Sequence, residues 1–139
     1  MAALIRRFRE AVQSGKNQVT CWGTGSPKRE FLHVDDLADA AVFCLENWKY
    51  DPQKNDSSFL NVGTGTDISI KDLAELIANL TGYQGKISWD TSKPDGTPRK
   101  QLDVSLLSDL GWKAKIKLKE GIQKVISELA ETDYTSKNE

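Results

Sequence analysis

Residues 29–36 read REFLHVDD: an arginine, an apolar run, the only histidine of the chain and two aspartates. Two kinds of chemistry suit that set. A histidine held by carboxylates is a general acid–base. An arginine fixed beside a glycine turn grips a diphosphate, because its planar fork pairs two oxygens at once. Residues two apart on an extended run share a face without forming a triad, and Asp35 and Asp36 stand where helix caps belong. His33 therefore reads as structural. Arg29 follows GTGSPK (23–28) and precedes a capped helix, so it is either an anion clamp or a surface arginine. Trp22 opens the same turn, where an indole packs on a ribose or base, or fills the core.

A second stretch with chemical content is KPDGTPRK (93–100). Its prolines stiffen it, its glycine lets it turn, and Lys93, Arg99 and Lys100 make it cationic. Asp95 sits at the tip. A rigid basic loop with one carboxylate suits an anionic, hydroxyl-rich ligand, since the carboxylate accepts from sugar hydroxyls or guanine N–H groups; the alternative is a solvated hairpin tip. NVGTG (61–65) continues as GTGTDI, with only two glycines of the G-x-G-x-x-G phosphate fingerprint and no βαβ frame around them. It reads as a turn that positions the next helix. Tyr50 and Lys54 have the Tyr-x-x-x-Lys spacing of short-chain dehydrogenases, but Pro52 breaks the helix that would put both on one face.

The elements that must position these residues follow from periodicity and caps. Residues 2–14 form an amphipathic helix with Leu4, Ile5, Phe8, Ala11 and Val12 on one face, and Arg7 at its edge, able to reach over a groove. QVTCW (18–22) is a short strand. Residues 29–34 run extended to an N-cap at Asp35, and a helix over 36–48 buries Leu37, Ala41, Cys44, Leu45 and Trp48. YDPQKNDSS (50–58) is a loop. SFLNVGTG (58–65) reads as a buried strand ending in a turn. Ser69 and Asp72 form a capping-box arrangement, and Leu73, Leu76, Ile77 and Leu80 make the buried stripe of a helix that Gly82 stops. KISWD (86–90) is a strand and 91–101 a loop. A short helix spans 105–110. A last helix runs from about 118 to 130, before a frayed tail. No opening strand–glycine–helix unit of the dinucleotide-binding type is present.

Composition narrows the class further. The chain has 139 residues, with 38% hydrophobic and 28% charged residues, as one soluble domain would. A net charge of −1 gives no global attraction to nucleic acid or to an anionic membrane. No apolar run reaches the roughly 18 residues of a membrane span. Two cysteines and one histidine argue against a disulfide framework and a zinc site, and for a cytoplasmic setting.

With ALIRRF, WGTGSPKREFLHVDD, NVGTG, SKPDGTPRK and LGW (110–112) located, the chain resembles the C-terminal, substrate-binding part of the GDP-L-fucose synthases. These are extended short-chain dehydrogenase/reductase enzymes of the NAD-dependent epimerase/dehydratase family. The Arg–apolar run–Val-Asp-Asp pattern is shared widely among nucleotide-sugar enzymes; the two longer motifs are more specific. The resemblance implies an α/β fold, helix-rich with short strands: a small C-terminal domain lacking the Rossmann half. It implies a nucleotide-sugar-binding domain over 1–131 and a disordered tail over 132–139.

It also implies roles for particular residues. Arg7 contacts the substrate, Trp22 and Arg29 hold GDP with Arg29 on the diphosphate, and Asp95 and Lys100 contact the ligand from the basic loop. The partner is a GDP-sugar. NADP(H) and the catalytic Ser, Tyr, Lys, Cys and His belong to the N-terminal half of the whole enzyme, so this chain alone is expected to be inactive and to bind no cofactor. The family enzyme is a homodimer. A chain lacking that half is expected to self-associate non-natively through the surface left bare. A related GDP- or UDP-sugar epimerase or dehydratase, and a non-enzymatic nucleotide-sugar-binding remnant, remain as alternatives.

Overall fold

Ile5, Phe8 and Ala11 recur at helical spacing, and the computed structural model buries all three on the inner face of α1 (Ala2–Gln13). Val12, expected beside them, is exposed. The structure describes residues 1–49, 53 and 59–135. The Tyr50/Lys54 pair and nearly all of the 50–58 loop lie outside that set.

β1 (Gln18–Trp22) pairs in parallel with β4 (Lys86–Asp90), Val19 opposite Ile87 and Trp22 opposite Asp90. A separate three-stranded sheet has β2 (Lys28–Glu30) at its centre. β3 (Asp67–Ser69) runs antiparallel on one side and β5 (Arg99–Lys100) parallel on the other. β5 falls within the segment expected to be all loop.

α3 (Ile70–Thr81) begins as its sequence dictates. The Ser69 hydroxyl oxygen accepts the Asp72 N–H at 3.0 Å and its O–H donates to the Asp72 carboxylate at 2.6 Å. Gly82 closes the helix in the left-handed region, φ 74°. Ser69→Ala should cost about 1 kcal/mol, read as a lower urea midpoint with an unchanged slope.

α1, α3 and α5 (Leu118–Thr135) pack together over the β1–β4 pair. Phe8, Leu73, Ile77 and Ile122 are sealed from solvent in that core. α5 continues past the expected end near residue 130.

A second, smaller core joins α2 (Val34–Asn47) to α4 (Ser105–Asp109) through Ala40, Leu107 and Trp112. Here the sequence expectations need correcting. The N-cap is His33, whose Nδ1 accepts the Asp35 N–H at 3.2 Å; Asp35 itself is already helical. The inward face of α2 carries Asp36 and Ala40, while Leu37, Ala41 and Leu45 face out, Leu45 being 87% exposed. Asp36 can be buried because its carboxylate accepts the N–H groups of Lys115 and Ile116 at 3.1 and 2.9 Å. Residues 59–62 pair with no described strand, and Phe59 is largely exposed.

Candidate functional site

The glycine turn after β1 and the basic loop before β5 are fastened together. Asp95 accepts the Thr24 N–H at 2.9 Å on one carboxylate oxygen and the Thr24 hydroxyl at 2.6 Å on the other. Gly23, at φ 77°, leaves no room for a Cβ beside the Asp95 carboxylate. Ser26 supports the same turn through the Thr24 hydroxyl oxygen, and the Lys28 N–H donates to the Pro98 carbonyl at 2.8 Å. Asp95, expected to meet a ligand, thus has both oxygens engaged within the protein.

The Thr24 hydroxyl, with help from the Thr24 N–H, holds the Asp95 carboxyl below the usual carboxylate range. Because the folded value is the lower one, this fastening is complete above the unfolded pKa and is lost only as pH falls through the folded value. The Thr24 amide resonance should therefore stay constant from pH 7 down to about 4 and move only below that.

The cations gather around this fastening. Arg29 is half-buried on β2, its Nη1 tethered to the Lys28 carbonyl at 2.6 Å. A Cβ on Gly96 would stand 3.1 Å from Arg29 Nη2, so the guanidinium abuts the basic loop. Lys100 is the register partner of Arg29 across the β2–β5 ladder. Among the described residues, neither has a carboxylate partner, whereas neighbouring Arg99 is paired with Asp67. Trp22, 69% exposed, ends β1 with Lys93 Nζ 5.8 Å from its ring centroid.

Four of the five expected residues, Trp22, Arg29, Asp95 and Lys100, therefore lie on the fastened turn, loop and ladder. All but the half-buried Arg29 are exposed, so they sit on an open rim. A cavity of about 340 Å³ beside Arg29 is lined by Phe31, Thr64, Thr66, Lys115 and Lys117, among others, but not by Trp22, Asp95 or Lys100. Arg7 stands apart. Its Nη1 donates to the Thr20 carbonyl at 2.9 Å, against β1. Burial pushes the neighbouring Cys21 thiol up, against the opposing pull of the Arg7 charge.

His33 is occupied structurally. Its Nδ1 accepts a backbone N–H, and its ring packs so closely on α5 that a Cβ at Gly121 would come within 2.9 Å of Cδ2. The Asp35 carboxylate lies 3.5 Å from the same Nδ1, and Lys124 reaches that carboxylate at 3.7 Å.

One residue escaped the sequence reading. The Glu30 carboxylate accepts N–H groups from Thr64, Gly65 and Leu102, and the Thr64 hydroxyl. Burial would raise its pKa, but the N–H groups of Leu102, Gly65 and Thr64 outweigh this and hold it below the ordinary glutamate value. The 63–65 turn, which invited a phosphate reading, already holds the protein's own anion. Those residues do not fit a dinucleotide phosphate.

Comparison with known proteins agrees with the family resemblance. The model of the NAD dependent epimerase/dehydratase family matches residues 1–63. The chain is 52% identical over 122 residues to a probable GDP-L-fucose synthase 1 of Oryza sativa subsp. japonica, covering 88% of this chain and 35% of that protein. It is 48% identical over 124 residues to the GDP-L-fucose synthase of Escherichia coli (strain K12), covering 86% and 38%. Among solved structures, a GDP-mannoheptose C4 reductase from Campylobacter jejuni with NADP bound superposes with a TM-score of 0.77 at 37% identity, over 88% of this chain and 41% of that one. The α/β architecture with short strands thus matches part of the epimerase fold, and the chain spans little more than a third of the length of these curated relatives.

Proposed function

We propose that this chain is the nucleotide-sugar-binding part of a GDP-L-fucose synthase, an NADP-dependent epimerase/reductase of the NAD-dependent epimerase/dehydratase family. One observation carries the reading. Arg29 and Lys100 stand in register on adjacent strands with no carboxylate partner among the described residues. Two like charges held side by side repel unless an anion lies between them. A diphosphate supplies that anion, and the exposed Trp22 indole at the end of β1 supplies a flat apolar surface for the attached nucleoside. Asp95 orders the rim through Thr24 and Arg7 braces β1, so these two act on the ligand from its border.

In the whole enzyme the substrate is GDP-4-keto-6-deoxy-mannose and the product GDP-L-fucose, formed by epimerisation at C3 and C5 and reduction at C4. The dinucleotide and the acid–base groups belong to the rest of such an enzyme, and this chain contributes binding energy that orients the sugar. The outward face of α2, with Val34, Leu37, Val42 and Leu45 exposed, is the surface assigned to packing against that remainder.

The test is calorimetric titration of the chain with GDP and with UDP. GDP should bind saturably and displace UDP. A preference for UDP would move the chain to a UDP-sugar enzyme, and no binding of either would remove the nucleotide reading altogether.

A further inference from the structure

Glu30 joins the parts that hold the cation pair. It follows Arg29 in β2, and its Oε2 accepts the Leu102 N–H at 2.8 Å, two residues beyond Lys100. Its Oε1 accepts the Thr64 N–H, the Gly65 N–H at 2.7 Å and the Thr64 hydroxyl at 3.2 Å. A Cβ on Gly63 would collide with the same oxygen. Successive backbone N–H groups in a glycine turn form the kind of concave donor set that receives phosphate. Here a side-chain carboxylate fills it.

The mechanical consequence concerns β5. That strand is two residues long, so its ladder alone fixes it weakly. Arg99–Asp67 and Gln101–Gly65 also tie this segment to the β3 side, but neither reaches β2. The Glu30 carboxylate is the side-chain link from β2 to both the 64–65 turn and the segment after β5. We propose that Glu30 is a built-in anion that sets the spacing of Arg29 and Lys100, and so is a positioning residue for diphosphate recognition. This rests on the nucleotide-binding reading above.

Removing the carboxylate and then returning one from solution tests it. Glu30→Ala should weaken GDP binding about tenfold or more, the loss expected when charged hydrogen bonds that hold a site are removed. Acetate in excess should restore much of the affinity, and chloride at the same ionic strength should not. In the same variant, acetate should shift the Thr64, Gly65 and Leu102 amide resonances saturably. If Glu30→Ala does not fold, Glu30→Gln tests the loss of affinity alone, since its amide offers one acceptor oxygen where two are needed and leaves no room for acetate.

Asp39→Ala is the structural control. It removes a carboxylate bound to Trp112 and Lys115, with no contact to β2, and should lower stability while leaving GDP affinity unchanged. The proposal is overturned if the Glu30 variant binds GDP like the unmodified chain or loses no more than the Asp39 variant, or if Glu30→Ala ignores acetate. Absence of GDP binding by the unmodified chain would instead sink the nucleotide reading. The positioning claim would then be judged on the Arg29 Nε–H and Lys100 amide resonances: these must move in the variant and return with acetate, and stationary resonances would overturn it.

Discussion

Replacing Arg29 with alanine is expected to weaken GDP binding by roughly ten- to a hundredfold, as the loss of a charged hydrogen-bonding partner worth about 1.5–3 kcal/mol implies. Three features underlie the size of that expected effect. Its Nη1 is tethered to the Lys28 carbonyl, so little side-chain freedom remains to be lost on binding. No protein carboxylate competes for it among the described residues. Lys100 beside it adds a second charge but no planar fork, so Arg29→Lys should recover only part of the loss. Both variants should melt near the unmodified chain, because among the described residues the guanidinium bonds only its neighbour's carbonyl. Affinity should also fall with added salt, as expected for an exposed ionic contact. Equal GDP affinity in the Arg29→Ala chain would show that the diphosphate lies elsewhere.

The second large effect concerns folding. Phe8→Ala should cost about 3–5 kcal/mol, a large fraction of the roughly 5–15 kcal/mol available to a domain of this size. Phe8 is wholly buried, and its ring meets Tyr83 edge-on with centroids 5.3 Å apart. It lies where α1 presses on α3, so the cavity would be bounded by two helices unable to close together without moving their other contacts. Urea denaturation followed by circular dichroism should show a much lower midpoint, and an unchanged midpoint would mean that α1 docks without this ring. The variant should also loosen Arg7, which reaches the Thr20 carbonyl only because α1 is held in place.

Much of the fold was legible because local signals agreed with one another. α3 has its capping serine, its apolar stripe and its closing glycine, and all three act as the sequence implies. β1 and β4 occupy the expected residues. On α2 the expected face is only partly the buried one: Cys44 packs on the second core, whereas Leu37, Ala41 and Leu45 face out, since apolar residues wrap most of the cylinder and periodicity then selects no single face. The structure instead buries Asp36, whose acceptors meet N–H groups nearly 80 positions away along the chain. No local pattern carries that information. The strand expected before the glycine turn failed for a related reason: an apolar run specifies burial, but a strand also requires a partner edge.

The rim was partly legible as chemistry. An arginine after a glycine turn and a proline-bounded basic loop were visible as types, and the resemblance supplied their roles. Glu30 was not visible among the 20 acidic residues of the chain. A usable signal existed in the alternation of a short strand, which turns Glu30 to the face opposite Arg29, together with a glycine turn whose N–H groups required an acceptor. Asp95 was noticed for the right loop, although its bonds to Thr24 are set by tertiary approach.

The pairing of β1 with β4 has a kinetic consequence. Thr20 and Ser88 are opposite each other although 68 positions apart in the chain. A parallel ladder gains nothing until that long loop has closed, and closure costs entropy before any contact offsets it. α1 and α3 can form early from neighbouring residues, yet they have no shared floor until the ladder exists. The rate of refolding is thus governed by a long-range pairing and not by the helices, and a chain rich in helix acquires the slower tempo of a β-protein.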